Sequence, residues 1–398
     1  MRRTISIASL LIFCSAMGQQ SYQLLWEITG KKLKKPSYLF GSMHSNDSRL
    51  FQFPDSLYYA FSNAETVVLE ADVAELFDGI DVRVDWNSLL ILPGENETSL
   101  SREGTRTVYG DEDGRPHFLD AWFQQTGYCG GKKFVALEKA EDQMALGASL
   151  ELSVGNTPVR NFLLSKESFI QSYLRGDIET LTKMLQSQLS IIPGAYDALI
   201  TKRNEVMAKG LDTLMRKQSV FCAIGSGHLS GKEGVIQLLR AKGYTVRMVN
   251  ACYSPEGSAA EMKVKSWKSY TYVNDSLDFR LKLTGKPMVF KTDKRLRVVF
   301  AELGQGNRYQ LTTEPAEKVL SDYVGEFFTG KNTEVQSGKL PDGTDYIEGL
   351  TYDENLGAIW SRIFVRNNQL FRIEACGGNK FMHSGRAHNF FDHNLLLD

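Results

Sequence analysis

Short apolar runs, closed by glycine or a polar residue and interleaved with helix-period stretches, recur through the first two-thirds of the chain. Ser37–Phe40, Thr66–Leu69, Phe134–Leu137 and Val220–Ile224 are unbroken and rich in β-branched and aromatic residues. A strand with one wet face alternates apolar and polar positions; an unbroken run belongs to a strand covered on both faces, as in a parallel sheet. Helical spacing falls at Asp55–Ala64, Phe118–Gly127, Asn161–Leu174, Ile178–Leu189, Tyr196–Arg216 and Glu233–Ala241, and another helix starts in Glu141–Leu146. Gly127 reads as the stop of its helix. Tyr22–Thr29 and Ser37–Phe40 form a hairpin across the basic loop Lys31–Pro36. Val220–Ile224, the helix behind it and Thr245–Val249 make a right-handed βαβ unit with parallel strands. Val73–Gly114, dense in glycine and charge, reads as loops and short pieces that could form a flap. The pattern predicts an α/β fold: a mixed sheet flanked by helices.

The pattern changes after Ser254–Ala260, whose composition is that of a linker. Short β-period runs follow at Ser269–Val273, Asp278–Leu283, Arg295–Ala301, Asp345–Tyr352, Ser361–Val365 and Gln369–Glu374. Pro315–Phe328 reads as a helix with proline at its first position, and His388–Asp392 as a helix or turn. This is a small antiparallel α+β domain. The expected organisation is a leader at 1–18, a catalytic domain at 19–252, a linker at 253–265 and an accessory domain at 266–398.

The leader follows from Arg2-Arg3, the apolar stretch Ile5–Phe13 and the small residues of Ala16-Met17-Gly18, with cleavage before Gln19. It implies export, to the periplasm or beyond, with the envelope as a further destination. The stretch is too short for an ordinary membrane span, and no later run is long enough. A net charge of −1 gives no reason to expect a nucleic-acid partner. Cys129, Cys222, Cys252 and Cys376 lack close Cys-x-x-Cys spacing, and Cys222 and Cys252 read as buried thiols rather than a bridge.

The chemistry gathers where strands end. Gly41-Ser42-Met43-His44 follows one apolar run and Gly225-Ser226-Gly227-His228 another. Glu70 closes a third run and Glu138 a fourth. Each alone has an ordinary explanation: a histidine after glycine is a turn or core residue, a glutamate after a strand a helix cap. Together they have another. If the four strands share one parallel sheet, all four side chains meet at its carboxyl rim, where open α/β sheets bind ligands. Two imidazoles with carboxylates suit a divalent zinc, manganese, iron or cobalt ion. His117, His383, His388 and His393 are read as surface or packing residues.

These residues carry a family likeness. Gly41–His44 with Pro54-Asp55, Val68-Leu69-Glu70, Leu137-Glu138 with Gln143, Arg203-Asn204, and Gly225–His228 with Gly231–Val235 resemble the TraB/GumN family, which includes the TIKI metalloproteases. The resemblance spans about residues 22–250 and implies a metal-dependent hydrolase, in particular a peptidase with a peptide or protein substrate. It implies His44, Glu70 and His228 as metal ligands and Glu138 as a further ligand or the base that activates water. Arg203 would steady an oxyanion with its planar fork, and Asn204 would orient substrate or a ligand. The rival expectation, from more distant relatives, is a binding protein that captures haem or a peptide without turnover.

Overall fold

The structure is a computed structural model that describes residues 23–73 except 46, 106–107, 110–111, 119–143, 145, and 166–397 with short breaks at 255–257, 266–268, 304–305, 330–334 and 354–355. The leader, most of Val73–Gly114 and His117 lie outside the described residues.

Six strands form the first sheet: β1 (Leu25–Thr29), β2 (Ser37–Ser42), β3 (Thr66–Leu69), β4 (Lys133–Ala136), β5 (Val220–Gly225) and β6 (Thr245–Met248), in the order β4-β3-β5-β2-β1-β6. The four runs that lack alternation are adjacent and parallel. Every residue of β2 and β3 is buried, as the absence of a polar face requires. β1 is antiparallel to β2 and to β6. The βαβ unit therefore differs from its expected form: β5 and β6 run the same way, but the opening hairpin sits between them.

Helices α1 (Asp55–Asn63) and α2 (Leu119–Cys129) cover this sheet through an aromatic cluster. Phe123 of α2 meets Phe40 and Phe221 with ring centroids 5.4 and 5.1 Å apart, and Phe61 of α1 meets Phe221 at 5.1 Å. Rings this close add edge and offset contacts to their burial. Gly127 does not stop α2, which continues to Cys129. A side chain at Gly127 would lie 2.8 Å from Val67, so the glycine serves close approach of helix to strand. Helices α3 (Lys166–Leu174), α4 (Ile178–Leu189), α5 (Lys202–Met215) and α6 (Val235–Ala241) complete this part. Within the stretch read as linker, Ala259–Lys265 is a helix, α7, whose Val264 is buried in the first core.

Beyond it the sheets are antiparallel, a seven-stranded one and a three-stranded one. Pro315 begins no helix; it is the last residue of the strand Asn307–Pro315, paired with Gln369. A strand terminus tolerates proline's missing N–H. The helical content that follows is a 3₁₀ turn at Leu320–Tyr323 and the single turn Val324–Phe327. The two parts share contacts: Cys129 of α2 is buried in the core of the antiparallel part, and the Leu303 N–H donates to Gln125 Oε1 at 3.2 Å. Cys129, Cys222 and Cys376 are buried thiols, and Cys252 is half-buried. Among the described residues no helix is long and apolar enough to cross a membrane.

Candidate metal centre

Parallel pairing sends the carbonyl ends of β4, β3, β5 and β2 to one rim, where the chain continues into Glu138, Glu70, His228 and His44. The two Gly-Ser-x-His motifs lie side by side, Gly41 opposite Ile224 and Ser42 opposite Gly225. Their glycines make this contact possible. A Cβ at Gly41 would lie 2.6 Å from Leu229 Cδ1 and 3.1 Å from Ser226 Cβ.

Glu70 is the buried hub. Its Oε1 accepts the Gly225 N–H at 2.6 Å and its Oε2 accepts Arg203 Nη2 at 2.6 Å. Burial works against its charge, but Arg203 foremost, with the neighbouring imidazoles and the Gly225 N–H, outweighs it and holds the carboxyl well below the usual carboxylate range. Arg203 also grips Glu138, with Nε 2.9 Å from Oε1 and Nη2 2.7 Å from Oε2. Gln143 Nε2 donates to Glu138 Oε2 at 2.9 Å. One guanidinium thus clamps two strand-end carboxylates. A π-helical turn, Asp197–Thr201, leads directly into α5 and sets Arg203 and Asn204 on its first turn. Such turns occur mostly as single-turn insertions in α-helices, frequently at functional sites.

Asn204 faces His228. Its Nδ2 donates to the Glu233 carbonyl at 2.7 Å, which fixes the amide orientation. Oδ1 is left toward His228 Nδ1, 2.7 Å away. The ring must then carry its proton on Nδ1 and present Nε2 as a lone pair. Burial pushes the His228 pKa down to about 4, against the pull of Glu70, so the ring is neutral near pH 7. Its Nε2 lies 3.7 Å from Glu70 Oε1. Two acceptors thus face each other in a buried place, an arrangement that a cation between them would relieve.

His44 stands at the open side, with its side chain 40% exposed. Its Nε2 lies 3.5 Å from Oδ2 of Asp120, a residue of α2 that the sequence did not single out. Ser42 Oγ donates to Asp120 Oδ1 at 3.0 Å. Burial pushes the Asp120 carboxyl up to about 6, with His44 opposing and Glu70 reinforcing the rise. Sequence hid Asp120 because an acid in the first turn of a helix has a sufficient reason in the helix dipole.

Among the described residues, no three His, Cys, Asp or Glu side chains stand together as a ready coordination sphere. The donors form two pairs, His228 with Glu70 and His44 with Asp120, at 3.7 and 3.5 Å. Ligand atoms about 2.1 Å from a tetrahedral ion lie about 3.4 Å apart, so each pair is spaced as two ligands of one ion are. The donor chemistry, neutral imidazole with oriented carboxylate, suits a divalent transition ion.

An α/β protein with imidazoles and carboxylates converging on the strand-end rim is the class that fold and site define. The chain belongs to the TraB/PrgY/gumN family, whose profile matches residues 24–110 and 108–248. It is 25% identical over 313 residues to Metalloprotease TIKI2 of Danio rerio, covering 56% of this chain and 60% of that protein. It is 30% identical over 89 residues to a Metalloprotease TIKI homolog of Amphimedon queenslandica, covering 22% of this chain and 16% of that one. The chain thus spans less than two-thirds of the relatives it matches. A solution structure of PsbP (CyanoP) from Synechocystis aligns with 33% of this chain and 92% of its own, at 5% identity and a TM-score of 0.26, too low to carry an argument.

Proposed function

We propose that this protein is a divalent-metal-dependent hydrolase of peptide bonds. The observation that carries the reading is the buried pair of acceptors, His228 Nε2 and Glu70 Oε1, 3.7 Å apart and held in place by Asn204, Arg203 and the Gly225 N–H. Kinship with metalloproteases supports the same chemistry. His228, Glu70 and His44 would hold the ion. When bound, a divalent cation stabilises developing negative charge and acidifies a coordinated water.

The chain's own groups have distinct tasks in this reading. Asn204 fixes the tautomer of His228 rather than touching substrate. Arg203 holds Glu70 and Glu138 at a fixed spacing, with only Nη1 outside that clamp, 3.4 Å from the Leu199 carbonyl. Glu138 is the proton acceptor: its Oε2 takes three bonds from Arg203 and Gln143, while Oε1 takes one from Arg203 Nε and keeps a lone pair. Peptide and protein chains are the substrate class. Residues 19–252 carry the site, and 266–398 brace it through α2; limited proteolysis should cut within 253–258, ahead of α7, and a first cut elsewhere would deny that boundary. The basic, apolar and small-residue order of the first eighteen residues supports export, with a mature chain beginning near Gln19.

The test is a peptide library incubated with protein reconstituted separately with Zn, Mn and Co. Cleavage that disappears in His228→Ala and in Glu138→Gln is the expected result. Metal binding without any cleaved peptide would overturn the hydrolase reading in favour of a binding protein.

A further inference from the structure

We infer that Asp120 is a ligand of the same cation, paired with His44 as Glu70 is paired with His228, and that Ser42 is the residue that aims it. The inference rests on the metal reading above and adds a residue to it.

Asp120 is only 3% exposed, and its Oδ2 is buried without a hydrogen-bond partner among the described residues. A carboxylate oxygen shielded from water without a donor is costly, and proteins retain such an atom where something else satisfies it. The other buried carboxylates of this rim show what satisfaction looks like: both oxygens of Glu70 and both of Glu138 accept at least one bond. In Asp120 only Oδ1 does, from Ser42 Oγ. That bond fixes the carboxylate plane and leaves Oδ2 3.5 Å from His44 Nε2.

The placement repeats the other pair. Ser42 and Gly225 are register partners on neighbouring strands. The Ser42 hydroxyl orients Asp120, and the Gly225 N–H orients Glu70. Each carboxylate lies beside the histidine of the motif whose residue orients it. The two halves of the rim therefore present equivalent nitrogen–oxygen pairs, one from β2 and α2, the other from β5 and β3. Helix α2 is held at its far end by the antiparallel part, through Gln125 to Leu303 and through buried Cys129, so the arm that carries Asp120 is braced.

The experiment is a titration of metal-free protein with Co(II), followed by calorimetry and by the visible d–d bands. In the parent we expect one bound ion per chain. Asp120→Asn keeps the shape and the Ser42 contact; it should weaken Co(II) binding by at least about tenfold and alter the bands, with circular dichroism unchanged. A double-mutant cycle with His44→Gln should be non-additive, as expected for ligands of one ion. If Asp120→Asn fails to fold, Ser42→Ala decides, with affinity expected to fall several-fold. A parent that binds Co(II) together with a folded Asp120→Asn of equal affinity and identical bands overturns this inference and leaves the metal centre standing. A parent that binds no Co(II), Zn or Mn overturns both.

Discussion

Both parts of this molecule bury arginine–carboxylate clusters, and they finish them differently. In the antiparallel part, Glu348 receives Arg362 at 2.7 Å on Oε2 and Gln336 at 3.3 Å on Oε1, while Asp392 takes the other arm of Arg362 at 2.8 Å. Tyr346 and Phe391 flank the guanidinium, 4.2 and 5.1 Å from its carbon. Glu302 is likewise closed, by Arg386, Asn307 and Thr284. Every oxygen of Glu348 and Glu302 has a donor. At the rim of the parallel sheet one arginine serves two carboxylates, an imidazole lone pair faces Glu70, and Asp120 Oδ2 has no hydrogen-bond donor among the described residues. Closed clusters fix a fold; in the proposed reading, the surplus acceptors of the rim are what a cation would satisfy.

The contrast breaks most visibly at the two arginines. Arg203→Met and Arg362→Met each leave carboxylates buried without their cation, and each should cost about 3–5 kcal/mol in urea unfolding. Only Arg203→Met should also change metal affinity; a change of equal size in Arg362→Met would erase the distinction. Next in size is Asn204→Ala, which frees the His228 ring. Metal affinity measured against a competing chelator should drop about 10–100-fold, and no change would mean that Asn204 does not set the tautomer. Smaller is Gly41→Ala, where the new methyl meets Leu229 and Ser226; the thermal midpoint should fall by the equivalent of about 1–3 kcal/mol. Least should be the stability cost of Gly225→Ala, whose Cβ would lie 3.3 Å from Glu70 Oε1, so its effect belongs in metal affinity instead. A larger unfolding cost for Gly225→Ala than for Gly41→Ala would reverse the roles given to the two glycines.

Much of this was legible in sequence because burial on both faces leaves an unbroken apolar run. That cause holds for β2, β3 and β5. β4 lies at the sheet edge with Lys133 exposed and Phe134–Ala136 half-buried, yet its apolar run still marks a strand. Together the four strands give the common rim of His44, Glu70, Glu138 and His228. What was not legible depended on partners distant in the chain. Apolar runs do not encode neighbour order, so the hairpin between β5 and β6 could not be foreseen. Gly127 and Pro315 carried the usual signs of a helix end and a helix start, and tertiary packing and strand pairing overrode them. Asp120 had an adequate local explanation in the helix dipole, and only its distance to His44 gives it another. Asn204 was marked by the family likeness, but its partner, His228, depended on the fold.

Anomalous diffraction from crystals grown with Mn or Zn tests the central claim most directly. A peak is expected within about 2.0–2.2 Å of both His228 Nε2 and the nearer oxygen of Glu70. Ordered density at both side chains with no peak between them, or with the ion bound elsewhere in the molecule, would contradict it.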